Sequence, residues 1–138
     1  VPGVTAVHFA ISGSCRFNCY ISIDKLVDGE TKQAALLALG TVDFVKNVIV
    51  VDADIDVFNE REVMFAVATR TQADQDIEIL RHVKGNTLDP SQTHDIMGSK
   101  LIIDATKPVD KPYSERVAVP RSAIEKFPLD QYFNEEPT

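Results

Sequence analysis

Lys46-Asn47-Val48-Ile49-Val50-Val51-Asp52-Ala53-Asp54-Ile55-Asp56 is an apolar run that ends in three aspartates at alternate positions. Residues 48–51 are four consecutive branched aliphatics, too few for a helix between their breakers and apolar on both faces. They predict the central strand of a sheet covered on both sides. Such a strand belongs to an α/β fold, and carboxylates delivered from its C-terminal end sit where open α/β sheets keep their chemistry.

Working outward, residues 4–11 are bounded by Gly3 and Ser12-Gly13-Ser14 and read as a strand. Residues 18–23, rich in β-branched and aromatic side chains, read as its pairing partner. Asp28-Gly29-Glu30 introduces strong helix formers over residues 31–39, with Gly40 placed as a C-cap glycine. Beyond the aspartates, Asn59-Glu60-Arg61-Glu62 has the form of a capping box and opens a helix to Arg70. Val63, Phe65, Ala66, Val67 and Ala68 predict that this helix is buried against the sheet. Residues 76–80 alternate cleanly, which completes a strand, helix, strand pattern and predicts two adjacent parallel strands. A turn-forming loop over residues 85–98 leads to a last short strand at residues 100–104. The expected architecture is a single α/β domain over residues 1–107, with a mostly parallel or mixed sheet and flanking helices. An extended Pro-rich tail, residues 108–138, follows with short helices such as residues 121–127.

Composition narrows the partners. The 138 residues suit one domain, and a hydrophobic fraction of 44% fills its core. Twenty-one acidic residues against 14 Lys plus Arg give a net charge of −7, which repels phosphate backbones and anionic lipid surfaces, so neither nucleic acid nor membrane is expected as a partner. No apolar run approaches the roughly 20 residues that cross a bilayer, and Val1-Pro2-Gly3 shows no leader pattern; a cytoplasmic protein is expected. Cys15 and Cys19 are four residues apart, unlike a C-x-x-C site, and are expected as buried or half-buried thiols rather than a disulfide. His8 and His82 have no carboxylate or Cys at ligand spacing and are expected to be satisfied surface or edge histidines rather than ligands. Gly98-Ser99-Lys100 lacks the following helix that a phosphate-cradling P-loop needs.

Four readings compete for Asp52, Asp54 and Asp56. An EF-hand loop needs Gly at its sixth position and Glu at its twelfth, where this chain has Val57 and Val63. A Mg²⁺-dependent phosphohydrolase of the haloacid dehalogenase kind would use Asp52 as nucleophile and Asp54 as acid and base, but Asp56 stands at its Thr or Val position. The metal-chelating Asp-x-Asp of a nucleotide-sugar transferase is an equally short motif. In the fourth reading Asp54 and Asp56 belong to the turn before the helix, accept backbone N–H bonds and complement its dipole. Sequence physics favours this structural role.

Asn47-Val48-Ile49-Val50-Val51-Asp52-Ala53-Asp54-Ile55-Asp56-Val57-Phe58-Asn59, followed by Val63-Met64-Phe65-Ala66-Val67-Ala68-Thr69-Arg70 and Gly98-Ser99-Lys100-Leu101-Ile102-Ile103-Asp104-Ala105-Thr106, resembles the C-terminal domain of UbiD-family decarboxylases. The entry Pro2-Gly3-Val4 and Cys15-Arg16-Phe17-Asn18 is similar as well, so the likeness covers nearly the whole chain in order. The resemblance implies reversible decarboxylation of aromatic or α,β-unsaturated carboxylic acids with prenylated FMN, a divalent metal and potassium. It places the flavin site and the catalytic residues in an upstream flavin-binding domain of the same enzyme, outside this chain. It further implies a homo-oligomer, and a domain that associates protomers and covers the substrate side of the pocket. No catalytic, cofactor or metal residue is expected in this chain. Asn86 and Leu88, in Asn86-Thr87-Leu88-Asp89-Pro90, resemble the loop that lays an apolar residue over a small-molecule carboxylic acid. Phe127-Pro128-Leu129-Asp130-Gln131-Tyr132-Phe133 is too apolar for a free tail and is expected to dock on a partner subunit.

Overall fold

The computed structural model describes residues 1–92 and 96–127 of the chain. Its elements are β1 (Val4–Phe9), β2 (Asn18–Ile23), α1 (Glu30–Thr41), β3 (Asn47–Asp52), α2 (Glu60–Arg70), β4 (Ile77–Lys84), β5 (Met97–Ala105) and α3 (Arg121–Lys126). The strands form one mixed sheet in the order β1-β2-β3-β5-β4. β2, β3 and β5 are parallel, and β1 and β4 close the two edges antiparallel.

Alternation along β3 explains its unbroken apolar run. Val48 and Val50 join Cys19, Ile21, Ala35, Leu39 and Ile102 under α1. Ile49 and Val51 face the other way, onto Tyr20, Val63, Ala66 and Ala105 beside α2. Each face of the strand thus feeds its own core, as an interior strand requires.

Several expectations need correction. β4 is neither adjacent nor parallel to β3, because β5 lies between them. The reason lies in residues 53–59, which leave the end of β3 and bury Ile55 and Val57 against the sheet before α2 begins. Glu60, at the start of α2, reaches Ser12 and Tyr20, whereas Arg70, at its end, reaches Asp52. The helix therefore returns the chain to the end of β3 from which it left, and β4 must start there and run antiparallel.

Helix α2 is also less buried than its composition suggests: Val63 and Ala66 are buried, but Met64 is 49% and Phe65 36% exposed. Asn59 does cap it, its Oδ1 accepting from Arg61 N at 3.2 Å, yet Glu62 pairs with Arg116 Nη1 at 2.6 Å instead of completing a capping box. Gly40 lies inside α1 rather than beyond it, and Val42 takes the C-cap. Ser14 and Cys15 both have φ of 56°, which turns the chain out of the sheet and leaves the Cys15 thiol exposed. Cys19 is buried as expected, and desolvation pushes its thiol up to about 11. The segment from Pro128 onward, expected to dock on a partner, lies outside the described residues.

Candidate functional site

The two features singled out in the sequence lie at opposite ends of the sheet. Asp52 closes β3 at its C-terminal end, where the chain leaving β5 also arrives. There Arg70 Nη1 donates to Asp52 Oδ2 at 2.5 Å, and both of its terminal nitrogens grip Asp54, at 2.8 and 2.9 Å. Lys107 adds its backbone N–H to Asp52 at 2.9 Å and its Nζ to Asp54 at 2.9 Å. The hydrogen bonds from Arg70, then the one from Lys107 Nζ, hold the Asp54 carboxyl at about 2 against the opposing pull of partial burial. Asp56 takes no part, because its Oδ1 caps the Phe58 N–H at 2.9 Å in the turn before α2.

This constellation does not fit a divalent cation, since guanidinium and ammonium nitrogens already occupy the positions a metal would take. Nor is Asp52 free to attack phosphorus. Among the described residues no group of three or more His, Cys, Asp and Glu is gathered as a metal site. The expectation that Asp54 accepts backbone N–H bonds was wrong in detail. Its partners are two side-chain cations, and the cluster ties the end of β3 to the end of α2 and to the chain beyond β5.

At the other end, the turn between β4 and β5 carries Asn86 and Leu88. Asn86 Oδ1 accepts from Leu88 N at 2.9 Å, and Asp89 Oδ1 accepts from Ser91 N at 2.9 Å, so two side chains fold the turn on itself. Lys46, just before β3, pins the turn to the sheet with Nζ 2.8 Å from Asp89 Oδ2 and 2.5 Å from Ser91 Oγ. Burial pulls the Asp89 carboxyl up, but the bonds from Lys46 and Ser91 outweigh it and hold the group below its ordinary value. Asn86 lines a cavity of about 20 Å³ with Phe17, Lys46, Val83 and Lys100, which has room for a water molecule and not for a substrate. Leu88 does not face that cavity. It is 53% exposed, an apolar side chain aimed outward from a braced turn.

The sequence reading missed Lys46, Arg70 and Lys107 as partners. Arg70 lies 18 residues from Asp52 and Lys107 lies 55 residues from it, separations that no local motif links. Lys46 immediately precedes β3, but its carboxylate partner Asp89 lies 43 residues on, in the turn between β4 and β5.

Residues 1–105 match the family described as the 3-octaprenyl-4-hydroxybenzoate carboxy-lyase C-terminal domain. The chain belongs to the UbiD family, as its C-terminal domain. Among its relatives, the anhydromevalonate phosphate decarboxylase of Archaeoglobus fulgidus is 42% identical over 106 residues, covering 76% of this chain and 24% of the relative. Among solved structures, the UbiD-class enzyme HmfF of Pelotomaculum thermopropionicum in complex with FMN superposes with a TM-score of 0.85 at 42% identity, over 96% of this chain and 30% of that one. An evolved dimeric form of the same enzyme, in complex with prenylated FMN, gives 0.74 at 37% identity, over 96% of this chain and 27% of that one. This UbiD domain thus spans about a quarter of the length of the curated relatives it matches.

Proposed function

We propose that this UbiD domain covers the substrate side of a decarboxylase active site and helps to associate protomers. The flavin, the divalent metal, potassium and the catalytic residues are then supplied by an upstream domain of the same enzyme. The acids decarboxylated are aromatic or α,β-unsaturated, a class suggested by the family. Decarboxylation itself is supported by the relative named for anhydromevalonate phosphate, and a prenylated flavin by the complex of the evolved dimeric HmfF.

One observation in the chain carries the covering role. Leu88 is held outward on a turn that Lys46 and Asn86 brace, at a cost in exposed apolar surface that burial against a substrate or a neighbouring domain offsets. For assembly, the support is an apolar groove of about 260 Å³ beside the outer strand β1, lined by Val7, Phe9, Leu37 and Val42. The test is the full-length enzyme loaded with prenylated FMN. Leu88→Ala should raise KM by roughly 5–30-fold, the equivalent of about 1–2 kcal/mol of lost apolar contact, with flavin content unchanged. A KM indistinguishable from wild type would remove Leu88 from the pocket.

A further inference from the structure

β4 departs from a regular strand at one place. Its pairing with β5 slips between Leu80 and Val83, and His82 sits at φ of 56°, a left-handed conformation uncommon for a residue other than glycine. Consecutive side chains of a regular strand point to opposite faces, which would separate Arg81 from His82. The bulge cancels that alternation, and both residues line one cleft with Lys46, Gln92 and Ser99. Bulges recur beside functional sites because they re-aim side chains, and strain at a non-glycine residue persists only where the surroundings enforce it.

The cleft runs against the charge of the molecule. The chain carries a net −7, yet among the described residues this surface gathers two cations, Lys46 and Arg81, and the imidazole of His82 against one acid, Asp89. Asp89 is already matched by Lys46 at 2.8 Å, and among the described residues no carboxylate pairs with Arg81. The site is an open cleft of about 470 Å³ in which Arg81 and His82 are exposed.

We infer that this cleft binds the phosphate group of a small phosphate monoester. A guanidinium fork, an imidazole, an amide and a hydroxyl together offer more donors than the two oxygens of a carboxylate take up, and they suit the three terminal oxygens of a phosphate. Met97, which also lines the cleft, gives the organic part an apolar contact. The site stands on its own geometry, apart from the role assigned to Leu88.

The experiment is an amide NMR titration of the chain with inorganic phosphate, glycerol 3-phosphate and acetate at constant ionic strength. Phosphate and the monoester should give saturable shifts centred on Arg81, His82, Gln92 and Ser99, while acetate should not. Arg81→Met should weaken binding on the order of tenfold, the usual worth of a charge-assisted pair, and Arg81→Lys should restore part of it. Ser99→Ala, which leaves the bulge intact, should weaken it less. Shifts that fail to saturate, that survive Arg81→Met or that follow acetate equally would overturn the assignment. Sedimentation of the chain with phosphatidic acid vesicles and no response to glycerol 3-phosphate would overturn it too, in favour of a lipid surface.

Discussion

Gly13 and Gly40 answer to different physics. A Cβ on Gly13 would lie 2.5 Å from the backbone nitrogen of Asn18, at the start of β2, and neither segment can yield without disturbing the β1–β2 pair. Gly13→Ala is therefore expected to lower stability by about 2 kcal/mol, read as a fall in the urea midpoint. Gly40 has open space around it and sits within α1, so Gly40→Ala should raise stability by roughly 0.5–1 kcal/mol. A loss at Gly40 would return that glycine to the capping role its sequence suggests. Asp54 sets the acid response. Its carboxyl is lowered from 3.8 to about 2, so its stabilising effect is complete above about pH 4 and is lost as pH falls toward 2. Because the carboxylate is 49% exposed, solvent screening limits the effect to about 1 kcal/mol. Arg70→Ala should remove most of that part of the acid dependence and leave the smaller share that Lys107 supplies. Unfolding at pH 5 and pH 2.5, compared between the two proteins, measures it.

The turn between β4 and β5 is braced by one cation from the start of β3, the strand next to β5. Lys46→Met removes both Nζ contacts, to Asp89 and Ser91, while leaving the two local turns at Asn86 and Asp89 intact. The amides of Leu88 and Ser91 should then exchange roughly fivefold faster, as the loss of about 1 kcal/mol of local stability requires, with β3 unchanged. Equal exchange in both proteins would show that the local turns suffice. The same turn shows where sequence reasoning runs out. The strand at Val48–Val51, the β1–β2 pair, α1 and the start of α2 were legible because each is written in neighbouring residues, as periodicity or as a cap. The direction of β4 was not, because it follows from Ile55 and Val57 packing on the sheet and bringing α2 back to Asp52. The motif Asp-x-Asp was visible, but its meaning depended on Arg70 and Lys107, which only the fold brings to it.

At the scale of the molecule, the exposed apolar surface is unevenly placed. Helix α1 covers β2, β3 and β5, leaving the outer strand β1 with Val7 at 45% and Phe9 at 38% exposure beside Leu37 at 53%. Among the described residues nothing pairs with the outer edge of β1, and a strand edge flanked by such a groove is a template for association. The proposed assembly role is thus tested on this surface. Phe9 projects into the groove without belonging to either buried core cluster, so Phe9→Glu should leave the unfolding midpoint nearly unchanged. Sedimentation equilibrium at high concentration should show self-association of the wild-type chain and its loss in Phe9→Glu. A wild-type chain that stays monomeric would set aside self-association through this chain, whereas association that survives Phe9→Glu would move the interface to another surface.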